Sequence, residues 1–251
     1  FRVSAFRVSA FRVSALPASV LAFVLLAFVV IGAGCSSNRY LEERDAPWDP
    51  LTRQLRLMSR RGPKPTDRTL HLLRRYDLVQ NHEKNLASVL VRLQEELVDE
   101  PSLDKIYALA ELAYIGAKKA DSRGLDAEAK QLYAIAVSHA YAFLFDDRPE
   151  FLEQRNPYDP QFRLACDLYN QSLEGSLRLI NQEQGLRPGQ TITTRIGDQD
   201  YRVSVELRGP WHDDDVERLE FVSDFRLKDG LTNRHHSFGL GVPMIAIRKP
   251  H

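Results

Sequence analysis

The hydrophobic period of this chain changes at Gly185, and that change limits the possible folds more than any other feature. From residue 66 to about 183, apolar residues recur every three to four positions. Beyond Gly185 they alternate with polar ones. The first pattern gives one apolar stripe on a helix and the second gives one apolar face on a strand, so neither element can serve both stretches. The predicted fold class is therefore α+β: a mainly α-helical domain over 66–186, then a small antiparallel β segment over 187–251.

Five helices are expected in the first part. Thr66 and Asp67 can cap a helix carrying Leu70, Leu73, Tyr76 and Leu78. A second places Leu86, Val89, Leu90, Leu93 and Leu97 on one face, and Pro101 stops it. In the third, Ile106, Ala110, Ala113 and Ala117 form a stripe of mostly small residues, flanked by Leu109 and Leu112. After Gly124 a fourth carries Ala129, Tyr133, Ala136, Ala140 and Phe143. Asp159-Pro160 supplies an N-cap and an N1 proline for the fifth, which carries Phe162, Ala165, Cys166, Tyr169, Leu173, Leu177 and Ile180. The alanines would let helices approach closely. An antiparallel bundle and a stack of helical pairs both fit this pattern.

In the second part, Ile192, Thr194 and Ile196 precede a Gly197-Asp198 turn, and Tyr201, Val203, Val205 and Leu207 follow it, as in a β-hairpin. A short helix is predicted from Asp213 to Phe221, with acids in its first turn. Phe225 and Leu227 are read as a strand. The run 242–247 is read as another, with Pro243 at its beginning or on an edge. No partner follows that last strand in sequence, which predicts that the protein continues. Phe1 at the start, with Met58 and Met244 the only methionines, points to an alternative start codon or a translated fragment.

The first 35 residues have a separate character. FRVSA occurs three times, placing Arg2, Arg7 and Arg12 ahead of the uncharged run LPASVLAFVLLAFVVI. Small residues and Cys35-Ser36-Ser37 follow. A cationic start, an apolar middle and a small-residue end make an export signal. The end resembles the lipobox of bacterial lipoproteins, in which the Cys becomes the acylated N-terminus. That resemblance implies Cys35 as the lipid-attachment residue. Gly32 stands where the pattern usually has Leu. A run of about 18 apolar residues is also long enough for a transmembrane anchor, and a plain signal peptide with an incidental Cys remains a third reading. Residues 36–65, with Pro47, Pro50, Gly62, Pro63 and Pro65, are predicted to be a flexible tether. A short helix can form near Leu51–Met58, and Arg53, Arg56, Arg60, Arg61 and Lys64 form a basic cluster suited to solvent or to anionic headgroups.

Charge narrows the function classes. The 34 basic and 34 acidic residues cancel, whereas a dedicated nucleic-acid binder carries a basic excess. Setting aside the three leader arginines leaves 31 basic residues against 34 acidic ones, a body of net −3. Two cysteines cannot build a disulfide scaffold or a four-cysteine zinc site. No G-x-S-x-G, P-loop, G-x-G-x-x-G or H-E-x-x-H occurs. His212 with Asp213, Asp214 and Asp215 reads as an exposed acidic helix start rather than a metal site, because neighbouring side chains diverge. Arg234-His235-His236 reads as a polar loop and Gly239-Leu240-Gly241 as a tight turn before a strand. Cys166 reads as a buried thiol. Tyr107, Tyr114, Tyr133, Tyr141 and Phe143 belong to a core or line a groove. No catalytic residue, metal or cofactor is predicted.

Two local runs carry a wider resemblance: YDPQFRLACDLYN at 158–170 and GLTNRHHSFGLGVP at 230–243. They are similar to the N-terminal region of bacterial lipoproteins in which a helical region and a β segment precede an α/β-hydrolase domain. The helical part also resembles degenerate tetratricopeptide-type repeats. There Ala129-x3-Tyr133-x2-Ala136 matches a second helix and Leu109-Ala110 a first, although Leu109 to Ala129 is too long for a standard repeat. The hydrolase resemblance implies a cell-envelope lipoprotein facing the periplasm or exterior. Its membrane contact would run through the lipid anchor, its protein partners would bind the helical domain, and its nucleophile would lie downstream of this chain. A stand-alone interaction lipoprotein without enzymatic activity is the alternative expectation.

Overall fold

A computed structural model describes residues 41–60, 62–207, 212–228 and 239–249. Cys35, the 16–31 run and the Arg234-His235-His236 loop lie outside the described residues. The chain is a mixture of helices and small antiparallel sheets. Among the described residues no helix is long and apolar enough to cross a membrane.

The helices are α1 (Asp67–Arg75), α2 (Leu86–Asp99), α3 (Leu103–Asp121), α4 (Asp126–Phe145) and α5 (Pro160–Gln184), with single turns at Asn81–Lys84 and Pro149–Leu152. Their ends follow local chemistry. The Asp159 side chain accepts from the Gln161 backbone N–H ahead of Pro160, and Asn85 caps α2 by accepting from the Ser88 N–H. Helix α1 ends in a Schellman turn: Leu78 N–H reaches the Leu73 carbonyl and Asp77 N–H the Arg74 carbonyl. Asp77 holds φ +56 there, a left-handed position usually given to glycine.

Helix α3 is the axis of the molecule. Every residue from Lys105 to Ala117 is buried. It packs against α1, α2, α4 and α5, and α4 also packs along α5. The expected stripe of Ile106, Ala110, Ala113 and Ala117 is buried, and so are the other faces. A helix apolar on all sides has no solvent face to offer. Ala129, Ala136 and Ala140 of α4 are fully buried too. Gly175, in the middle of α5, leaves room for the Tyr133 ring, which a methyl group there would overlap.

Strands β2 (Thr191–Ile196) and β3 (Gln199–Ser204) form the expected hairpin, with Ile196 opposite Gln199 across Gly197-Asp198. Ile192 and Thr194 are buried, while Tyr201 is exposed. The predicted helix from Asp213 to Phe221 is corrected. Asp213–Asp215 is a single 3-10 turn, followed by strand β4 (Val216–Phe221), which pairs with β6 (Met244–Arg248). A register shift between Val216 and Arg218 brings Val216, Leu219 and Phe221 to the buried side. Such a bulge gives a strand apolar residues three apart, which imitates a helix. Strand β6, read as unpartnered, therefore has its partner upstream.

The expected tether is corrected over its described part. Strand β1 (Leu41–Glu43) pairs with β5 (Phe225–Leu227), so that Leu41 faces Leu227 across the ladder. Leu51 and Leu55 are 1% exposed, inside the helical core. The two leucines lie on a 3-10 turn, Pro50–Thr52, and the turns after it, so the short helix expected near Leu51 is only partly formed. A second, smaller core gathers Ile180, Leu186, Ile192, Val216 and Leu219 under the β segment.

Candidate functional site

The buried polar groups of α3 show what the molecule does with its costly atoms. A buried polar group without a partner costs roughly 1–3 kcal/mol, and each of these has one. Lys105 Nζ donates to the Glu96 carbonyl at 2.7 Å and the Glu100 carbonyl at 2.8 Å, closing the end of α2. Glu111 accepts from Thr66 N–H at 2.6 Å and Thr66 Oγ1 at 2.9 Å, capping α1 from outside. Burial raises the Glu111 pKa despite those bonds. Tyr114 donates to Asp49, whose other oxygen accepts from the Leu51 N–H. One central helix thus fastens the ends of three surrounding segments. The Tyr133 hydroxyl donates to Asp121 at 3.0 Å. Burial raises the pKa of Tyr107, Tyr114 and Tyr133, with Glu111, Asp49 and Asp121 adding to it in turn. Lys105, Glu111 and these three tyrosines are each at most 2% exposed.

A second cluster joins the helices to the β segment. The Arg178 guanidinium of α5 donates to Glu174 at 2.8 Å, Ser223 Oγ at 2.8 Å and Asp224 at 2.7 Å. It lies 4.2 Å from the Phe221 ring centroid. Trp48 N–H donates to the Ser223 carbonyl and Arg44 N–H to the Asp224 carbonyl. The N-terminal segment, α5 and the β segment therefore meet at residues 223–225. Sequence reasoning missed this joint, although Glu174 and Arg178 show helical i,i+4 spacing.

The exposed feature best suited to recognition lies on α4 and α5. Tyr141 is 54% exposed and Phe145 is 48% exposed. Their ring centroids are 4.9 Å apart, and Tyr141 lies 6.2 Å from Tyr169 of α5. The sequence put Tyr141 with Tyr107, Tyr114, Tyr133 and Phe143; those four are buried, and Tyr141 is the one at the surface. Beside Tyr169, the Asn170 amide donates to the Gly239 carbonyl at 3.2 Å and accepts from Gly241 N–H at 2.8 Å. The residue pair holds the turn before β6, where Gly241 takes φ +126. Leu240 between them is 41% exposed. Three aromatic rings thus form a patch across α4 and α5.

The other sequence candidates fall elsewhere. Cys166 is a half-buried free thiol, and burial followed by the neighbouring Asp167 raises its pKa, which keeps it protonated at neutral pH. His212, Asp213 and Asp214 are exposed, and Asp215 accepts from the His212 N–H in a capping turn. Among the described residues no cluster of three or more His, Cys, Asp or Glu is arranged to hold a metal. Comparison with family models, characterised proteins and solved structures found no match.

Proposed function

We propose that this chain is a membrane-anchored lipoprotein of the cell envelope. In this reading it serves as the accessory N-terminal region of an α/β-hydrolase-family protein. Cys35 carries the lipid, the body faces the periplasm or exterior, and the alanine-seamed helices act as a tetratricopeptide-like interaction domain. The Tyr141–Phe145–Tyr169 patch is the surface on which the hydrolase domain rests. The observation that carries this reading is the Asn170 clasp. The two runs that resemble the hydrolase-bearing lipoproteins, 158–170 and 230–243, are 60 residues apart in sequence and are tied by that one side chain beside the aromatic patch.

The reading frame beyond His251 tests the hydrolase assignment. A strand, elbow and helix with G-x-S-x-G would support it, and a stop codon directly after His251 would sink it in favour of a stand-alone interaction lipoprotein. In the longer product, Tyr141→Asp with Phe145→Asp is expected to lower ester hydrolysis without lowering the melting temperature of the helical domain. Fatty-acid labelling that persists in Cys35→Ala would remove that residue as the attachment site.

A further inference from the structure

The segment expected to be a loose tether is a folded lobe with a charge of one sign. Between Asp49 and Asp67 the sequence holds Arg53, Arg56, Arg60, Arg61 and Lys64 and no acid. Leu51 and Leu55 point into the core, and the Lys64 N–H returns to the Leu55 carbonyl at 2.8 Å, which closes the lobe on itself. The turn passes through Arg56 at φ +49. Gly62 lies against the Lys119 side chain, so the lobe sits on the cationic last turns of α3. Arg53, Arg56 and Arg60 are exposed. Among the described residues none of these three arginines forms an ion pair. In their midst Met58 is 78% exposed.

We infer that this lobe is a docking surface for an anionic phospholipid leaflet. The arginines would meet the headgroups, and Met58 would enter the interface between them. A basic segment beside a membrane gains about 1 kcal/mol, or roughly fivefold in binding, per Lys or Arg near the surface. A leaflet is favoured over an acidic protein because of where the chain is attached. The five residues between Cys35 and Leu41 make six Cα steps, roughly 20 Å at full extension, so β1 and the lobe after it stay near the bilayer. This inference rests on the membrane attachment in the proposed function, but it holds whether Cys35 lipid or the apolar 16–31 run provides it.

The test uses the full chain in nanodiscs of phosphatidylcholine, alone or mixed with phosphatidylglycerol, read by amide hydrogen exchange over 53–64. Exchange there is expected to slow several-fold only on the discs with phosphatidylglycerol. Arg53→Gln with Arg56→Asn and Arg60→Gln is expected to erase the difference, since all three positions are exposed and Asn tolerates the left-handed turn. Equal exchange on both discs, or slowing that persists in the triple variant, would overturn the inference. Intact mass reports Cys35 acylation in the same samples. A failed lipid assignment is thereby distinguished from a failed docking surface.

Discussion

The helical half and the β half hold their polar atoms in opposite ways. In the helical half, a single buried helix supplies Lys105, Glu111 and Tyr114, and each closes the end of another segment. The β half has three separate two-stranded sheets, of which β2–β3 and β4–β6 rest on a small core. They are tied to the helices by the largely buried cluster around Arg178, by the Asn170 clasp and by Ile180 of that core. A pair of strands is marginal without a face to pack on. The contrast predicts one cooperative helical unit and one dependent unit that opens first.

The largest expected effect separates the halves by pH. The folded-state pKa values of Tyr107, Tyr114 and Tyr133 are raised by burial, and all three belong to the helical core. Their contribution is fully present below the unfolded tyrosine value of about 10 and is lost as pH rises above it. Helical circular dichroism during urea unfolding should therefore show stability falling steeply above that pH. A flat profile would deny that the three hydroxyls stay buried. Leu109→Ala should come next, removing about 3 kcal/mol from the helical unit by leaving a cavity at a site 1% exposed. Arg178→Met should cost roughly 2 kcal/mol by leaving the buried Glu174 carboxylate without its cation. Hydrogen exchange in that variant should rise across β4–β6 and stay low in α3. A uniform rise through both halves would show that they form one cooperative unit.

Two smaller changes should sharpen the comparison from the stabilising side. Asp77→Gly should raise the melting temperature of the helical unit by relieving the left-handed turn, a gain of about 0.5 kcal/mol. Ser172 is fully buried, and its Oγ has no hydrogen-bond partner among the described residues. Ser172→Ala should stabilise by roughly 0.5 kcal/mol in denaturant unfolding, because it removes an unmet donor and improves helix propensity. Destabilisation by that change would point to a partner for the hydroxyl.

The helical half was largely legible in the sequence because its signals are local. Asp159-Pro160 opens α5 and Gly185 closes it, Pro101 ends α2, and the apolar period fills what lies between. The β half was legible only where its pairing is local, at the Gly197-Asp198 hairpin. Strand β1 pairs with β5 across more than 180 residues, and nothing within LEE announces that. Leu51 and Leu55 stand at helical spacing, but they are buried in a core built from helices distant in sequence. For β4, the bulge near Glu217 disguised the strand as a helix. The Tyr141 patch was hidden for a related reason. Tyr141 and Phe143 are near neighbours on α4, and only packing decides which of them faces water.

The β1–β5 ladder also has a mechanical meaning. The strands run antiparallel, and Leu41 and Leu227 sit at the same end of the pair. Tension applied between residue 41 and residue 227 would load the ladder bonds one at a time from that end. Such a pair peels at low force, where strands pulled along their length would resist together. The ladder is thus a joint whose register favours unzipping over shear.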